Sequence, residues 1–312
     1  MFKELDISED SPLKFEKITA TFIQPSVIAI ACGIRRDNAI NIIGTGFGIK
    51  PPSGCSQTDF FVTCRHVIDE LVDIKSRDKT GLGKLGLQDS ITQIGVQVIG
   101  QDRKVSWHWH VLGKGALKTL SMMEMDLCVF QLPGSGITVP SLNISENCIL
   151  GSEVGVLGFP TEGNLQVESI QPFVVKTIIS SVLDYKFTNI VTKDEKGNSV
   201  TKDLVLPRLA LGHQLAGGFS GSPVYSIQEG GAVLGVVDYT PYIEDEFYKK
   251  IKDEEGRSRD ESIYAQYPSF TSFAIPAKII KSNLENYSYY KGKAKSMGVT
   301  SCEWRVPRKA IY

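Results

Sequence analysis

The sequence predicts an all-β protein. Short runs rich in Val, Ile, Phe and Tyr recur along the chain, each bounded by Gly, Pro, Asn or Asp. Helical patterns are sparse by comparison. The 312 residues are 42% hydrophobic and 22% charged, the balance of a globular chain rather than a disordered one. Many short strands with few helices point to barrels or a sandwich.

The strands expected in the first half are 26–33 "SVIAIACG", 39–49 "AINIIGTGFGI", 59–64 "DFFVTC", 92–99 "TQIGVQVI", 104–111 "KVSWHWHV" and 126–131 "DLCVFQ". Those in the second half are 153–158 "EVGVLG", 173–183 "FVVKTIISSVL", 204–211 "LVLPRLAL", 222–227 "SPVYSI", 232–240 "AVLGVVDYT" and 271–275 "TSFAI". The segment after His66, "VIDELVDI", has the pattern of a short helix. A C-terminal helix is expected over 275–287, because Pro276 stands near its start and Ile280 and Leu284 are one turn apart.

The division expected is an N-terminal extension (1–24), a first β unit (25–135), a second β unit (136–285) and a basic tail (286–312). "LPGSGITVPSLNI" (132–144) reads as a linker between the two units. The charge-dense stretch 243–262 reads as a solvated loop or short surface helix. The tail reads as a mobile terminus.

Lys plus Arg (34) nearly cancels Asp plus Glu (35), so the basic excess of a nucleic-acid binder is missing. No apolar run approaches the roughly 18 residues of a membrane span. The start "MFKELDISEDSPLKF" lacks the pattern of a signal peptide, and a cytoplasmic location is the expectation. Six cysteines form no C-x-x-C pair and are read as reduced and structural. His108 and His110 in "WHWH" share a strand face, but no carboxylate partner is evident, so no metal is expected. No cofactor is expected either.

"GGFSGSPVY" (217–225) carries the chemistry. Glycines permit a sharp turn that aims successive N–H groups into one concave spot, where an oxyanion could be held. A serine hydroxyl there needs a base. The chain has four histidines, and His66 closes the strand "DFFVTCRHV". A carboxylate must orient the imidazole, and Asp126 in "EMDLCVF" opens an apolar strand. An α/β-hydrolase is disfavoured, since Ser222 stands where its elbow needs glycine and the order of groups is reversed.

The order His66, Asp126, Ser220 resembles the trypsin-like, chymotrypsin-fold serine peptidases, in their intracellular bacterial, HtrA-related branch. "VTCRHV", "MDLCVF" and "GGFSGSPV" match the family's histidine, aspartate and serine motifs, in order. "GTGF", "VGVLGFP" and "FAIPAKII" are also typical. The resemblance implies two six-stranded antiparallel β-barrels, 25–135 and 136–285, with a C-terminal helix. It implies a His66–Asp126–Ser220 triad, an oxyanion hole from the N–H groups of Gly218 and Ser220, and peptide hydrolysis through an acyl-enzyme. By position, Gln214, Val237, Asp238 and Tyr239 would line the substrate pocket. Asp238 could attract a basic side chain, support the Asp126–His66 pair, or serve structure alone.

Phe219 departs from the pattern, standing where zymogen-activated members carry an aspartate that pairs with a freed N-terminus. The partner implied is a protein or peptide substrate, with neither nucleic acid nor membrane. Two alternatives stay open: a silent fold acting as a binding or scaffold module, and a protease inactive until a protein partner binds.

Overall fold

Branched and aromatic runs become strands where a neighbour can complete their hydrogen bonds. The computed structural model describes residues 14–34, 39–50, 60–68, 90–99, 105–111, 118–122, 125–131, 139–160, 165–166, 171–193, 199–238, 242–252, 258–268, 271–282 and 284. The described residues hold sixteen strands, numbered here in chain order.

The first half forms β1 (Val27–Ile34), β2 (Ala39–Ile49), β3 (Phe60–Cys64), β4 (Ser90–Ile99), β5 (Val105–Val111), β6 (Lys118–Met122) and β7 (Leu127–Gln131). They pair in the order β5-β4-β1-β2-β3-β7-β6. A two-residue strand from later in the chain, β9 (Leu165–Gln166), adds to β2 and makes the sheet eight-stranded. The second half forms β8 (Glu153–Gly158), β10 (Phe173–Lys193), β11 (Ser199–Leu211), β12 (Pro223–Ser226), β13 (Val233–Val237) and β16 (Ser272–Pro276). These close into a barrel in the order β10-β11-β16-β13-β12-β8. The fold is thus mostly β, with one closed six-stranded barrel and a second sheet.

Two expectations need correction. The first half supplies seven strands rather than six, and β9 makes their sheet eight-stranded. Its β6, "KTLSM", escaped notice because Leu120 and Met122 are too few to mark a strand. The described residues of the charged stretch 243–262 are strand rather than loop or helix. They belong to a hairpin of β14 (Tyr242–Lys252) and β15 (Ser258–Pro268). The register sets Lys249 opposite Glu261 and Lys250 opposite Asp260. Residues 14–26 lead into β1 through short helical turns. Lys14–Ile18 is α-helical, Thr19–Ile23 is a π turn and Gln24–Ser26 a 3₁₀ turn.

That segment packs on the barrel. Ile18 and Ile23 are fully buried. Phe15 stacks on Tyr225, with centroids 6.3 Å apart. The Thr19 hydroxyl donates to the Phe15 carbonyl (2.8 Å), so in its 2.7 Å contact with Tyr225 the phenol is the donor. The expected C-terminal helix covers 277–282 and 284 among the described residues, and it buries Ala277, Ile280 and Leu284.

Two clusters make the core. Val154, Val156, Ile179, Leu209, Val224 and Leu234 fill the barrel. The larger cluster joins Ile28, Phe47, Val62 and Phe130 of the sheet to Tyr225, Val236 and Ile275 of the barrel. Sheet and barrel therefore share one buried seam, along which the strand ends meet. No helix of the described residues is long and apolar enough to cross a membrane.

Ile23→Ala is expected to cost about 2–5 kcal/mol, as other core truncations do. Tyr225→Phe loses only its bond to Thr19 and should cost about 1 kcal/mol. Val205 is exposed on β11, and Val205→Thr should stay within about 0.5 kcal/mol. Urea denaturation of the three variants checks the ranking.

Candidate active site

β3 and β7 pair in register, with Cys64 beside Leu127. His66 and Asp126 flank those two residues, so the strand pair carries them together. Past Cys64 the chain enters a helical turn at 65–68. Arg65 N–H donates to the Asp126 carbonyl (2.8 Å), and His66 N–H donates to Asp126 Oδ1 (2.9 Å). Asp126 Oδ2 stands 2.5 Å from His66 Nδ1. Asp126 has φ 55°, a left-handed conformation that Asp tolerates better than most residues. Burial pushes its carboxyl up, but the hydrogen bonds and charge of His66 outweigh burial and hold it below the usual range. Bound to that carboxylate, Nδ1 carries the proton, which leaves Nε2 as the basic nitrogen of the neutral ring.

The serine loop lies between β11 and β12. Gly218 and Gly221 have φ of 85° and 86°. A Cβ on Gly221 would come within 2.0 Å of the Thr45 carbonyl oxygen, so glycine is required there on both counts. The loop is laced to β13: Gly221 N–H donates to the Val237 carbonyl (2.8 Å) and Val237 N–H to the Ser222 carbonyl (2.9 Å). Among the described residues, the N–H groups of Gly218 and Ser220 donate to no backbone carbonyl. Both remain candidates for holding an oxyanion.

Thr45 of β2 ties this loop to the sheet. Its N–H donates to the Ser220 carbonyl (2.9 Å) and its hydroxyl to the Gly218 carbonyl (2.9 Å). That hydroxyl also accepts from Phe159 N–H (3.1 Å). The two serines of the motif differ sharply. Ser220 is partly exposed, and its hydroxyl donates to the Asp238 carbonyl (3.1 Å). The Ser222 hydroxyl is buried against Gly158, with no hydrogen-bond partner.

Behind His66 and Asp126 lies a buried polar cluster. Arg208 of β11 is 1% exposed, and its Nε donates to Asp238 Oδ2 (2.7 Å). Donor atoms of Cys64, His66, Asp126 and Asp238 lie within 4.8 Å of one another, a spacing a metal ion could use. A cation is already there in the Arg208 guanidinium, and the His66 and Asp126 donors are bonded to each other. Burial pushes the Asp238 carboxyl up to about 7; Arg208 opposes that, and Asp126 reinforces it. The Cys64 thiol is pushed well up by burial and then by Asp126 and Asp238, so it stays protonated. Among the described residues, Cys64, Cys128 and Cys148 form no disulfide.

Side-chain atoms of His66, Asp126 and Asp238 lie within 4.8 Å of one another, and the Ser220 hydroxyl reaches the Asp238 carbonyl. Of the residues named from position for the pocket, Gln214 is exposed on the loop. The Val237 side chain lies in the barrel core, with N–H and carbonyl both bonded internally. The Asp238 carboxyl is 3% exposed and held by Arg208, so it offers no charge to a basic substrate side chain. Tyr239 lies outside the described residues. Thr45 and Arg208 went unnoticed in the sequence. A signal for the second existed: Arg208 in "LVLPRLAL" and Asp238 in "LGVVDY" are lone charges in apolar strands, which suits a buried pair.

The model of the trypsin-like peptidase domain matches residues 44–236, a span that includes His66, Asp126 and Ser220. The chain belongs to the trypsin-like peptidase family. It is a serine protease. No curated protein matches the sequence of this protease. Among solved structures, it is similar to the Rv3671c protease of M. tuberculosis in its active form. The identity there is 18% and the TM-score 0.48, covering 91% of this chain and 92% of that one. It is also similar to Deg5, at 16% identity and a TM-score of 0.46, covering 89% and 94%.

Thr45→Val removes the hydroxyl while keeping its shape. It should cost about 1–3 kcal/mol, because buried polar groups lose their partner. Thr45→Ser should restore most of the loss, as measured by denaturation. A second expectation concerns pH. The Asp238 carboxyl is raised, so between its unfolded value and about 7 the folded state holds the extra proton. Stability should therefore fall as pH rises through that window, by on the order of 1 kcal/mol per pH unit. Asp238→Asn should flatten the slope in denaturation curves taken across the window.

Proposed function

We propose that this protease is a serine endopeptidase in which Ser220, His66 and Asp126 act as the catalytic triad. The observation that carries this reading is the Asp126 carboxylate spanning the His66 backbone N–H and Nδ1. Such a clamp fixes both the tautomer and the plane of the imidazole. Ser220 stands on the glycine turn of the same seam, with its carbonyl bonded to Thr45.

In the reaction, the Ser220 hydroxyl turns from the Asp238 carbonyl to His66 Nε2. Its oxygen attacks the peptide carbonyl as Nε2 takes the proton. Asp126 stabilises the imidazolium. The N–H groups of Gly218 and Ser220 receive the negative charge on the former carbonyl oxygen. His66 then protonates the leaving amine, and an acyl-enzyme remains. Water, deprotonated by His66, releases the second product. We read the eight-stranded sheet as the counterpart of the family's first barrel.

Labelling with a fluorophosphonate probe tests the assignment and separates an active protease from a silent scaffold or a partner-activated enzyme. The wild-type chain should label without any added protein. Ser220→Ala should abolish labelling and turnover, and His66→Ala should be comparably severe, since triad members act as a unit. Asp126→Asn should lower turnover by about 10⁴, through the wrong tautomer. Ser222→Ala should keep full activity, because it removes only an unpartnered buried hydroxyl. Labelling that survived Ser220→Ala and was lost in Ser222→Ala would overturn the assignment.

A further inference from the structure

Arg208 does more than hold Asp238. Its Nε donates to Asp238 Oδ2 (2.7 Å), its Nη2 to the Met125 carbonyl (3.4 Å) and its Nη1 to the Pro207 carbonyl (2.9 Å). Met125 immediately precedes Asp126. One buried guanidinium thus grips both Asp238 and the turn that carries Asp126.

A carboxyl oxygen of Asp238 and one of Asp126 lie within 4.8 Å of each other. Two carboxyls this close in a buried site favour a proton on one of them, which can then be shared as a hydrogen bond. Asp126 already accepts at both oxygens, from His66 N–H at Oδ1 and from Nδ1 at Oδ2. Asp126 is therefore the ionised member, and the shared proton belongs to Asp238. The other groups around Asp238 fit this assignment. β11 contributes the Arg208 cation, and β3 the neutral Cys64 thiol, which donates to the Val237 carbonyl (3.0 Å). The helical turn contributes His66. β16 contributes the Phe273 carbonyl, which accepts from Asp238 N–H (2.9 Å). The Asp238 carbonyl in turn accepts from the Ser220 hydroxyl (3.1 Å).

We propose that Arg208 and Asp238 are positioning residues for the triad: protonated Asp238 donates to the Asp126 carboxylate, and Arg208 locks Asp238 and the Asp126 turn in one arrangement. The inference rests on the triad reading above. It makes the carboxylate that orients His66 one member of a four-residue chain, Arg208–Asp238–Asp126–His66. The main chain of Asp238 meets Ser220 at the same place. Burial raises the Asp238 carboxyl to about 7, which keeps the proton in place under acid and near-neutral conditions.

Three variants of the full chain test this. Asp238→Asn can still donate to Asp126 and accept from Arg208, so kcat should stay within about threefold of wild type. The double variant Arg208→Met with Asp238→Leu replaces the pair by apolar side chains, an exchange that folds in other proteins. Its kcat should fall about 10- to 100-fold with KM little changed, as expected when reacting groups are held loosely. Asp238→Leu alone should show a similar loss.

Infrared spectra across the acid-to-neutral range supply a readout independent of activity. A protonated-carboxyl band should titrate in wild type and be missing from Asp238→Asn. A wild-type spectrum without an Asp238-dependent band would overturn the inference. So would a double variant with wild-type kcat. Should the double variant not fold, the band alone decides. Failure of the triad reading looks different: Ser220→Ala and His66→Ala would then remain active and labelled. If only the positioning role fails, those two variants are inactive and the double variant matches wild type.

Discussion

Thr45 is bonded through every polar atom it has. Its N–H and hydroxyl donate to the Ser220 and Gly218 carbonyls, its hydroxyl oxygen accepts from Phe159 N–H, and its carbonyl accepts from the Thr63 hydroxyl at 2.6 Å. The residue is fully buried. An unmade bond there cannot be replaced by water, so each is costly to lose. These four bonds join three parts of the chain: the sheet, the end of β8 and the serine loop. The loop comes from the barrel, and His66 and Asp126 come from the sheet. Their relative placement depends on the seam between the halves, and Thr45 is its polar fastening. Gly221 fits the same constraint, because only a residue without Cβ lets the loop approach the Thr45 carbonyl so closely.

The buried polar cluster obeys a second constraint. The Arg208 guanidinium and the Asp238 carboxyl must leave water to occupy their positions, and burying a charge seldom repays that cost in stability. Two well-packed apolar residues would serve the barrel as well. What the pair supplies is direction: a guanidinium with donors at fixed angles, aimed at one carboxyl and one carbonyl. Direction matters most where a carboxylate must be held against an imidazole. The adjoining Cys64 thiol adds no charge, since burial keeps it protonated.

The sequence was most legible where a function needs specific residues at strand ends. "VTCRHV", "MDLCVF" and "GGFSGSPV" mark His66, Asp126 and Ser220, and the Asp126 carboxylate does bond His66. Most strands were legible too, because branched and aromatic runs carried them. Elements stabilised by tertiary contacts alone were not. "KFEKI" has no strong helical signal, and its order comes from Ile18 packing and from Phe15 against Tyr225. The 242–268 hairpin is rich in charge, and composition outweighed the pairing register in reading it. Asp238 was read both as a pocket charge and as a support for Asp126. Deciding between them required the position of Arg208, some thirty residues earlier in the chain. Pairings so distant in sequence leave only a lone charge in each strand as a trace.

Phe219 shows how the loop stays ordered without a buried ion pair. Its side chain is 3% exposed and belongs to the barrel core, beside Leu215 and Val237. A Cβ on Gly158 would come within 2.8 Å of its ring, so β8 packs directly on it. Burying a phenylalanine contributes about 1.5–3 kcal/mol, comparable to a good buried hydrogen bond or more. The contribution arrives with the core itself. An anchor made by an ion pair to a newly freed N-terminus forms only after a cut, whereas an anchor made by burial forms when the barrel closes. In this chain the residue next to Ser220 is part of what the barrel closes around. The geometry of the serine loop is therefore coupled to folding of the barrel, and no later covalent event is needed to supply its anchor.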